Sequence, residues 1–443
     1  MTATPKTPGP PAPRTADQDE AASPTADDRA IPTAAGPQGG PATGPAGGAD
    51  TDTERKPKRR SVPKTPNPID RLSEEQIEEI GRRFQEIHDE VFGSLDESDA
   101  QYIRNMILFQ RRLAAASRMV LMASRYKPAW VLGTVGLSVA KILENMEIGH
   151  NVMHGQWDWM NDPVIHSSVW DWDTASPASA WKHSHNFVHH TYTNVIGKDK
   201  DVGYEIMRID PRQAWSPVYL AQPVYNVLLM ALFEWGVALH DLDLEAVRKG
   251  RKDPKQLKQE LAAIGVKARR QIVKDYVAWP LLSGSEWRST LVANAVSNVV
   301  RNVWSHAIIF CGHFPDQAYT FTEDEVEGET KARWYLRQLL GAANIDGSPL
   351  FHVMSGNLSF QVEHHLFPDM PSSKYKVIAP KVKQICQEYG LPYNTGPFRK
   401  QWGTVQRTIA RLAFPGGAER PKAPPYVPEQ RSAPEPARQP AFP

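Results

Sequence analysis

The sequence predicts an all-α protein. Apolar residues recur at helical spacing in two N-terminal segments, and longer apolar stretches follow them. No alternation of strands with helices is visible, so a sheet of βαβ units is not expected. Histidines crowd the segments beside the apolar stretches, which makes these segments the candidate functional region.

Two helices are expected to open the folded region. Ser73 is a typical N-cap residue with Glu and Gln close behind it, and apolar residues at helical spacing continue to Phe92. A second helical run covers residues 99–125. Both segments therefore predict helices with one apolar face.

Polar flanks bound the folded region. Residues 1–65 are rich in proline, glycine and alanine, end in a basic run and nearly lack large aliphatic side chains. Such a segment buries too little apolar surface to offset its ordering entropy, so it is predicted to be a disordered tail. Residues 416–443 form a similar proline-rich tail, which places the folded domain at residues 66–415.

Three apolar stretches lie inside this domain, at residues 129–140, 218–239 and 291–310. A membrane-spanning helix needs ~20 predominantly apolar residues. The first stretch is short, and the other two contain Glu234 and Arg301 respectively. On hydropathy alone, these stretches fit buried helices of a soluble protein as well as they fit membrane spans.

Charge and cysteine content exclude several classes of protein. The formal net charge is +1, so no overall field marks a nucleic-acid-binding protein, and no nucleic-acid partner is expected. Cys311 and Cys386 are far apart and form no CxxC pattern. This excludes a disulfide-rich scaffold, a cysteine-held iron–sulfur cluster and a thiolate zinc site.

Histidine is concentrated in three short motifs. These contain His150 and His154 (GHNVMH), His185, His189 and His190 (HNFVHH), and Gln361, His364 and His365 (QVEHH). In a helix, residues four apart lie on one face and can bind one metal ion. A single such pair is a weak signal, but the three-part pattern predicts a metal site.

The number of histidines bears on the number of metal ions. Zinc sites usually have four ligands, so these motifs hold too many histidines for one zinc ion, and two metal ions are the natural count. Imidazole suits iron, copper, nickel and zinc, so the ligand type leaves the metal open.

In this order and spacing, the motifs resemble the histidine boxes of the membrane-bound fatty acid desaturase and hydroxylase superfamily. HNFVHHTYTNV, FCGHFPD and MSGNLSFQVEHHLFPDMP narrow the resemblance to acyl-lipid and acyl-CoA desaturases. Residues 100–400 resemble the actinobacterial stearoyl-CoA delta-9 desaturase type. The resemblance implies a multi-pass membrane fold of about four transmembrane helices in two hairpins, with a cytosolic helical cap that holds a histidine-rich di-metal site.

The resemblance also implies a non-haem centre of two iron ions. Carried over residue by residue, the expected ligands are His150, His154, His185, His189, His190, His313, His364 and His365. Gln361 stands where many members have a histidine, and whether it contacts iron directly, through water or not at all stays open. His183 falls outside the pattern, and a supporting or structural role is favoured for it. His88, His166 and His240 sit alone and are interpreted as ordinary surface or core residues.

A desaturase of this kind introduces a double bond into the acyl chain of an acyl-CoA or an acyl-lipid, using O2 and two external electrons. Side-chain acids and bases cannot remove hydrogen from an unactivated methylene, so a metal must carry the chemistry. The sequence has no dinucleotide-binding motif, cysteine cluster or cytochrome b5-like segment. Electrons are therefore expected from a separate NAD(P)H-dependent flavin or iron–sulfur reductase, or from a ferredoxin. The alternatives are a hydroxylase of the same superfamily and a non-catalytic metal-binding membrane protein.

All boxes must lie on one face of the membrane, so the chain crosses it an even number of times between the second and third boxes. A hairpin of 218–239 and 291–310 would put the basic region 248–274 on the far side from the metal, against the positive-inside tendency if the metal faces the cytosol. We favour an arrangement in which 218–239 lies in the membrane interface and 272–310 forms the hairpin, with its turn near Ser283–Trp287. The expected location is the cell membrane, with the metal site facing the cytoplasm.

The sequence leaves more than one role open for each of two segments. The basic region 248–274 could dock an electron donor, bind anionic lipid or a CoA phosphate, or be a solvated loop. The tryptophan-rich segment 157–173 could line an apolar tunnel for the acyl chain, or anchor the protein at the membrane interface.

Overall fold

The computed structural model describes residues 66–418 and 422–426, which belong to one compact unit, Arg60–Pro443. The predicted tail at residues 1–65 lies outside the described residues, as does most of the predicted tail at residues 416–443. Residues 422–426 lie against the body of the protein, where the backbone N–H of Tyr426 donates to the carbonyl of Leu391 at 2.9 Å.

The described residues are mostly helical, as predicted. Their α-helices are α1 (Glu74–Phe92), α2 (Glu97–Leu121), α3 (Lys127–Leu143), α4 (Asn151–Met153), α5 (Ala178–Trp181), α6 (His190–Tyr192), α7 (Gln222–Ala231), α8 (Phe233–His240), α9 (Leu244–Arg248), α10 (Pro254–Ile272), α11 (Trp279–Leu282), α12 (Trp287–His313), α13 (Lys331–Gly341), α14 (Pro349–Met354), α15 (Gln361–Leu366), α16 (Tyr375–Glu388) and α17 (Phe398–Leu412). Within the same residues, the sheet is a single parallel pair, β1 (Asn344–Asp346) with β2 (Thr395–Pro397).

Three helices contain π-helical segments. These are π1 (Glu144–His150) between α3 and α4, π2 (Lys182–His189) between α5 and α6, and π3 (Val273–Ala278) between α10 and α11. π-Helical turns are rare and occur frequently at functional sites. Here, π1 contains His150 of the first histidine box, and π2 contains His185 and His189 of the second.

Helix α1 begins as the sequence predicts. Ser73 Oγ accepts from the N–H of Gln76 at 3.3 Å, and Gln76 Oε1 accepts from the N–H of Ser73 at 3.0 Å, which completes a capping box. The buried face of α1 packs against α13 and α16. Gly81 is needed at this contact, because a Cβ there would lie 2.5 Å from the Cβ of Ala332.

Helix α3 packs between α2 and α12. Small residues allow this close approach, since a Cβ on Gly133 would lie 2.7 Å from the side chain of Leu121. A buried ion network ties the same bundle to π3. Asp275 accepts from Lys141 Nζ at 2.6 Å and from Arg118 Nη2 at 3.2 Å. The pairing offsets the cost of burying these charges.

The hairpin turn expected near Ser283–Trp287 lies at Gly284–Glu286, between α11 and α12. The stretch at 218–239 is not straight, because α7 and α8 meet at an angle of 103°. No single helix among the described residues has both the length and the mean hydropathy of a bilayer span, whereas Pro217–Ala231 and Phe233–His240 meet the criterion as a bent pair. The number of transmembrane helices therefore stays a prediction.

Candidate metal centre

The three histidine boxes come from separate helices that converge. His150 ends π1 and His154 follows α4. His185 and His189 lie in π2, and His190 begins α6. The third box lies on α15, and His313 is the last residue of α12. The structure therefore brings together all eight histidines that the sequence singles out.

The histidines form two groups. The four-histidine group is His150, His154, His185 and His364, and the three-histidine group is His189, His313 and His365. Within each group, one ring nitrogen from every member lies within 4.8 Å of the others. His190 lies between the groups, because it meets the same criterion with His364 and His365. Both groups are compatible with a metal site, and the expected count of two ions stays a prediction.

Unpartnered ring nitrogens mark the interior of the site. Among the histidines of the two groups and His190, the Nε2 atoms of five are buried with no hydrogen-bond partner within the described residues: His154, His185, His189, His190 and His364. A buried polar atom without a partner is costly. A metal ion bound to these nitrogens would remove that cost, so the residues present fit a metal centre.

Several of the site histidines have Nδ1 held by a protein group, whereas Nδ1 of His190 has no partner among the described residues. His364 Nδ1 lies 3.1 Å from Tyr375 Oη, and His365 Nδ1 lies 3.0 Å from Gln338 Oε1. His189 Nδ1 lies 3.0 Å from the carboxylate of Asp199. Such partners fix the tautomer and orientation of a ligating imidazole. In this arrangement Nδ1 keeps the proton and Nε2 is free to bind a metal.

Burial favours the neutral imidazole, which is the form that binds metal. It lowers the pKa of His150 to about 3 and holds the pKa of His154 and of His190 well below the ordinary value. His189 differs from the others. Burial acts to lower its pKa as well, but Asp199 and Asp201 outweigh that effect and raise the pKa.

Gln361 and His183 have different positions. Gln361 is buried beside the three-histidine group, with its Nε2 atom 3.0 Å from His313 Nε2. His183 is exposed and stacks on Phe187, with 5.8 Å between the ring centroids. His183 therefore belongs to neither histidine group.

The comparisons with known proteins agree with this geometry. Residues 128–397, which contain every box, match the family model described as "Fatty acid desaturase". This chain belongs to the fatty acid desaturase family. It is an oxidoreductase that desaturates the acyl chain of an acyl-CoA or an acyl-lipid, as predicted.

Several curated desaturases are similar to the chain. It is 49% identical over 348 residues to the NADPH-dependent stearoyl-CoA 9-desaturase of Mycobacterium tuberculosis, which covers 78% of this chain and 82% of that protein. It is 28% identical over 313 residues to the sn-1 linoleoyl-lipid 6-desaturase of a Synechocystis species, covering 68% of this chain and 85% of that protein. These relatives favour desaturation over both alternatives, the hydroxylase and the non-catalytic protein.

A cavity in this desaturase opens onto both histidine groups. It has an empty volume of about 810 Å³, including the part open to solvent, and His150, His185 and His313 form part of its wall. Its apolar wall includes Met146, Trp172, Trp181, Phe233, Val237 and Ile309. Of the tryptophan-rich segment 157–173, Trp172 lines this cavity, whereas Trp157 is fully buried in a separate cluster with α2.

Sequence reasoning missed several residues that support the histidines. Asp199 and Asp201 follow the second box closely, and an acidic pair at that position was the one available signal. Gln338 and Tyr375 carry no such signal, because only the fold brings them to the site. His240 is interpreted as an ordinary residue from the sequence, yet it lines the cavity, with Nε2 3.1 Å from Asp201 Oδ1.

Proposed function

We propose that this chain is an O2-dependent di-iron desaturase that acts on long-chain acyl-CoA in the cell membrane, with its metal site facing the cytoplasm. The observation that carries the proposal is the pair of adjacent histidine groups beside one cavity with a largely apolar wall. The name of the mycobacterial relative supports a CoA thioester as substrate and carbon 9 as the position of the double bond.

The two groups would hold one iron each, with His190 between them. When bound, the iron pair supplies the O2-dependent oxidation that removes two hydrogens from neighbouring methylenes. The overall balance is –CH2–CH2– plus O2, two electrons and two protons, giving –CH=CH– and two water molecules. Two of the four electrons that reduce O2 come from the substrate, so a donor must supply the other two.

The cavity wall would position the acyl chain of the substrate beside the histidine groups. Aromatic and aliphatic side chains bind the acyl chain and exclude water. Because His150 and His185 of one group and His313 of the other reach the same wall, a bound chain lies against both groups at one place. Selection of one carbon pair would follow from where the chain ends in the cavity.

Membrane location is supported by exposed apolar side chains on α3, α11 and α12. Large side chains with more than half of their surface exposed include Val131, Leu132, Val135, Leu281, Leu282 and Val292. So many exposed large apolar side chains on neighbouring helices are unusual for a surface that faces water. A lipid-facing position accounts for it, together with the bent pair α7–α8.

The orientation is supported by the basic helix α10. Lys267 Nζ donates to the carbonyl of Trp172 at 2.7 Å, and Trp172 lines the cavity beside the histidines. The basic region therefore lies on the metal side. By the positive-inside tendency, both would face the cytoplasm.

We further propose that electrons come from a separate NAD(P)H-dependent flavin or iron–sulfur reductase, or from a ferredoxin. The word "NADPH-dependent" in the name of the mycobacterial relative supports this. Lys255, Lys258, Arg269 and Arg270 are exposed on α10, on the metal side, and are suited to an acidic partner.

Expression in a desaturase-deficient host tests the proposal. The expected result is restored unsaturated fatty acid with the double bond at carbon 9, located by mass spectrometry. With the purified protein and a reductase, stearoyl-CoA should be desaturated and the same acyl group in a phospholipid should not. Hydroxylated product, or turnover on the lipid alone, would contradict the proposal.

A further inference from the structure

One carboxylate contacts both histidine groups. Asp201 Oδ2 lies 3.6 Å from Nδ1 of His185 and 3.6 Å from Nδ1 of His189. His185 belongs to the four-histidine group and His189 to the three-histidine group. At this distance neither contact is a full hydrogen bond. The interaction is the attraction of a partly buried carboxylate for two ring N–H dipoles, which low polarity strengthens.

The two rings direct their other nitrogens into the site. Nε2 of His185 and Nε2 of His189 are both buried without a partner among the described residues. Asp201 therefore stands behind both rings, on the side away from the proposed metals. His185, His189 and Asp201 also offer ligand atoms within 4.8 Å of one another on the Nδ1 side, but Nε2 is the nitrogen of each ring that lacks a partner.

The second oxygen of Asp201 is held by His240. His240 Nε2 lies 3.1 Å from Asp201 Oδ1, and 7% of the His240 side chain is exposed. His240 is the last residue of α8 and forms part of the cavity wall. Asp201 lines the same cavity, so His240 and Asp201 form a bonded pair in the cavity wall beside both histidine groups.

The backbone beside Asp201 is strained in a way that supports this arrangement. Gly203, Tyr204 and Glu205 all have positive φ angles, of 66°, 51° and 58°. Such a conformation is unfavourable for a residue other than glycine and persists where the surroundings fix it. The turn places Tyr204 against His240, with 5.2 Å between the ring centroids, so that His240 is held from a second side.

Asp199 does not duplicate this role. Its carboxylate bonds His189 Nδ1 at 3.0 and 3.1 Å and accepts from the N–H of Asn194 at 2.8 Å. Within the described residues, it forms no hydrogen bond or ion pair with His185. Asp201 alone of the two acids reaches both groups.

We propose that Asp201 and His240 are a positioning pair that holds a ligand of each metal site, so that retention of both irons depends on one carboxylate. The inference rests on the proposed function, since it assumes two irons. Loss of a group that orients metal ligands typically weakens metal affinity about 10- to 100-fold. Removal of the Asp201 charge should therefore weaken both sites together.

Iron release tests the pair. Full-length wild type, Asp201→Asn, His240→Ala and His240→Gln are purified in detergent and loaded with iron, and release to a chelator is followed by absorbance. We expect Asp201→Asn to lose both irons about 10- to 100-fold faster than wild type. His240→Ala should change release in the same direction, and His240→Gln should restore slow release because its amide can donate to Asp201.

Asp241→Asn is the matched control. It removes a neighbouring carboxylate that accepts from Ser184 at 2.6 Å and from Ser176 at 2.9 Å and contacts no member of either histidine group through these bonds. It should release iron at the wild-type rate. Thermal unfolding of the iron-free proteins shows which variants fold. If Asp201→Asn does not fold, the comparison of His240→Ala with His240→Gln tests the inference instead.

The outcomes separate the two proposals. Wild type that binds no iron would overturn the proposed function, and this inference with it. Wild type with two irons, together with a folded Asp201→Asn that keeps both at the wild-type rate, would overturn this inference alone. Accelerated loss of only one iron would also overturn it, because the carboxylate would then serve a single site.

Discussion

Gln361 lies against His313 in the three-histidine group, with 3.0 Å between their Nε2 atoms. The amide oxygen of Gln361 is buried and has no partner among the described residues. Gly312 permits this position, because a Cβ there would lie 2.8 Å from Cγ and Cδ of Gln361. The amide nitrogen faces His313, and a 180° turn of the amide would exchange its two ends and present the oxygen to the three-histidine group.

Gln361→Ala should weaken iron at the three-histidine group and spare the four-histidine group. The variant would remove the one amide beside His313, so we expect iron content to fall from two toward one ion per chain. Elemental analysis of the purified protein measures this ratio. Gly312→Ala should have the same effect by displacing Gln361, and full occupancy in both variants would show that the amide is not needed.

The second box contains its own matched pair of variants. His189 is buried within the three-histidine group, whereas the side chain of His183 is exposed. His189→Ala should abolish desaturation and reduce iron content, because a ligand is lost. His183→Ala should keep both within about twofold of wild type, since exposed substitutions usually change little. Full desaturation by His189→Ala would show that His189 is not part of the metal centre.

The spacing of the histidines was enough to predict which residues meet, but not which of the two histidine groups each one joins. His364 and His365 are adjacent in sequence and fall into different groups, because neighbouring residues of a helix point in different directions. Helical spacing likewise predicted α1, whereas the turn at Gly284–Glu286 was predicted from the topology that keeps the basic region on the metal side. The 103° bend between α7 and α8 had no local signal, since neither glycine nor proline interrupts the chain at Leu232.

The supporting groups could not be predicted for a different reason. Gln338 reaches His365 from a helix 27 residues earlier in the chain, and Tyr375 reaches His364 from a later helix. Their side chains resemble ordinary core residues until α13, α15 and α16 are packed. Contacts of this kind depend on tertiary structure, whereas candidate metal ligands can be recognised from residue type and spacing in the sequence.

Filling the cavity should stop turnover without removing iron. Val237 lines the cavity, and two residues further along α8 the side chain of Leu239 is 56% exposed. Val237→Trp should lower turnover of stearoyl-CoA at least about tenfold, because the bulk occupies space needed by the acyl chain. Leu239→Trp should behave as wild type. Equal turnover in both variants, with iron content unchanged, would place the acyl chain elsewhere.

His88 should make stability depend on pH. Burial acts to lower its pKa, but Asp369 at 3.4 Å and Asp89 at 3.0 Å outweigh that effect and raise the pKa above 6.5. The folded protein therefore binds this proton more tightly than the unfolded chain. The stabilisation is fully present below pH 6.5 and is lost as the pH rises through the folded pKa.

Thermal unfolding of wild type and His88→Gln measures this effect. The variant should be less stable than wild type at about pH 6, by no more than about 1 kcal/mol because the pair is partly exposed, and the gap should close at about pH 8.5. His183→Gln, at an exposed site, serves as the control. A gap that grows with rising pH would contradict the assignment of the ion pair.

Cysteine labelling should establish which side of the membrane α10 faces. The two native cysteines, Cys311 and Cys386, are buried, so an introduced cysteine is the accessible one. Lys255→Cys on α10 and Ser285→Cys at the hairpin turn are both exposed positions. Since π3 and α11 continue α10 to that turn, the two sites lie at opposite ends of one helical unit.

A membrane-impermeant maleimide should label position 285 in intact cells, and position 255 only after permeabilisation. The reverse pattern would place the histidine groups outside the cell, because Lys267 binds the cavity wall at Trp172 and holds α10 on their side.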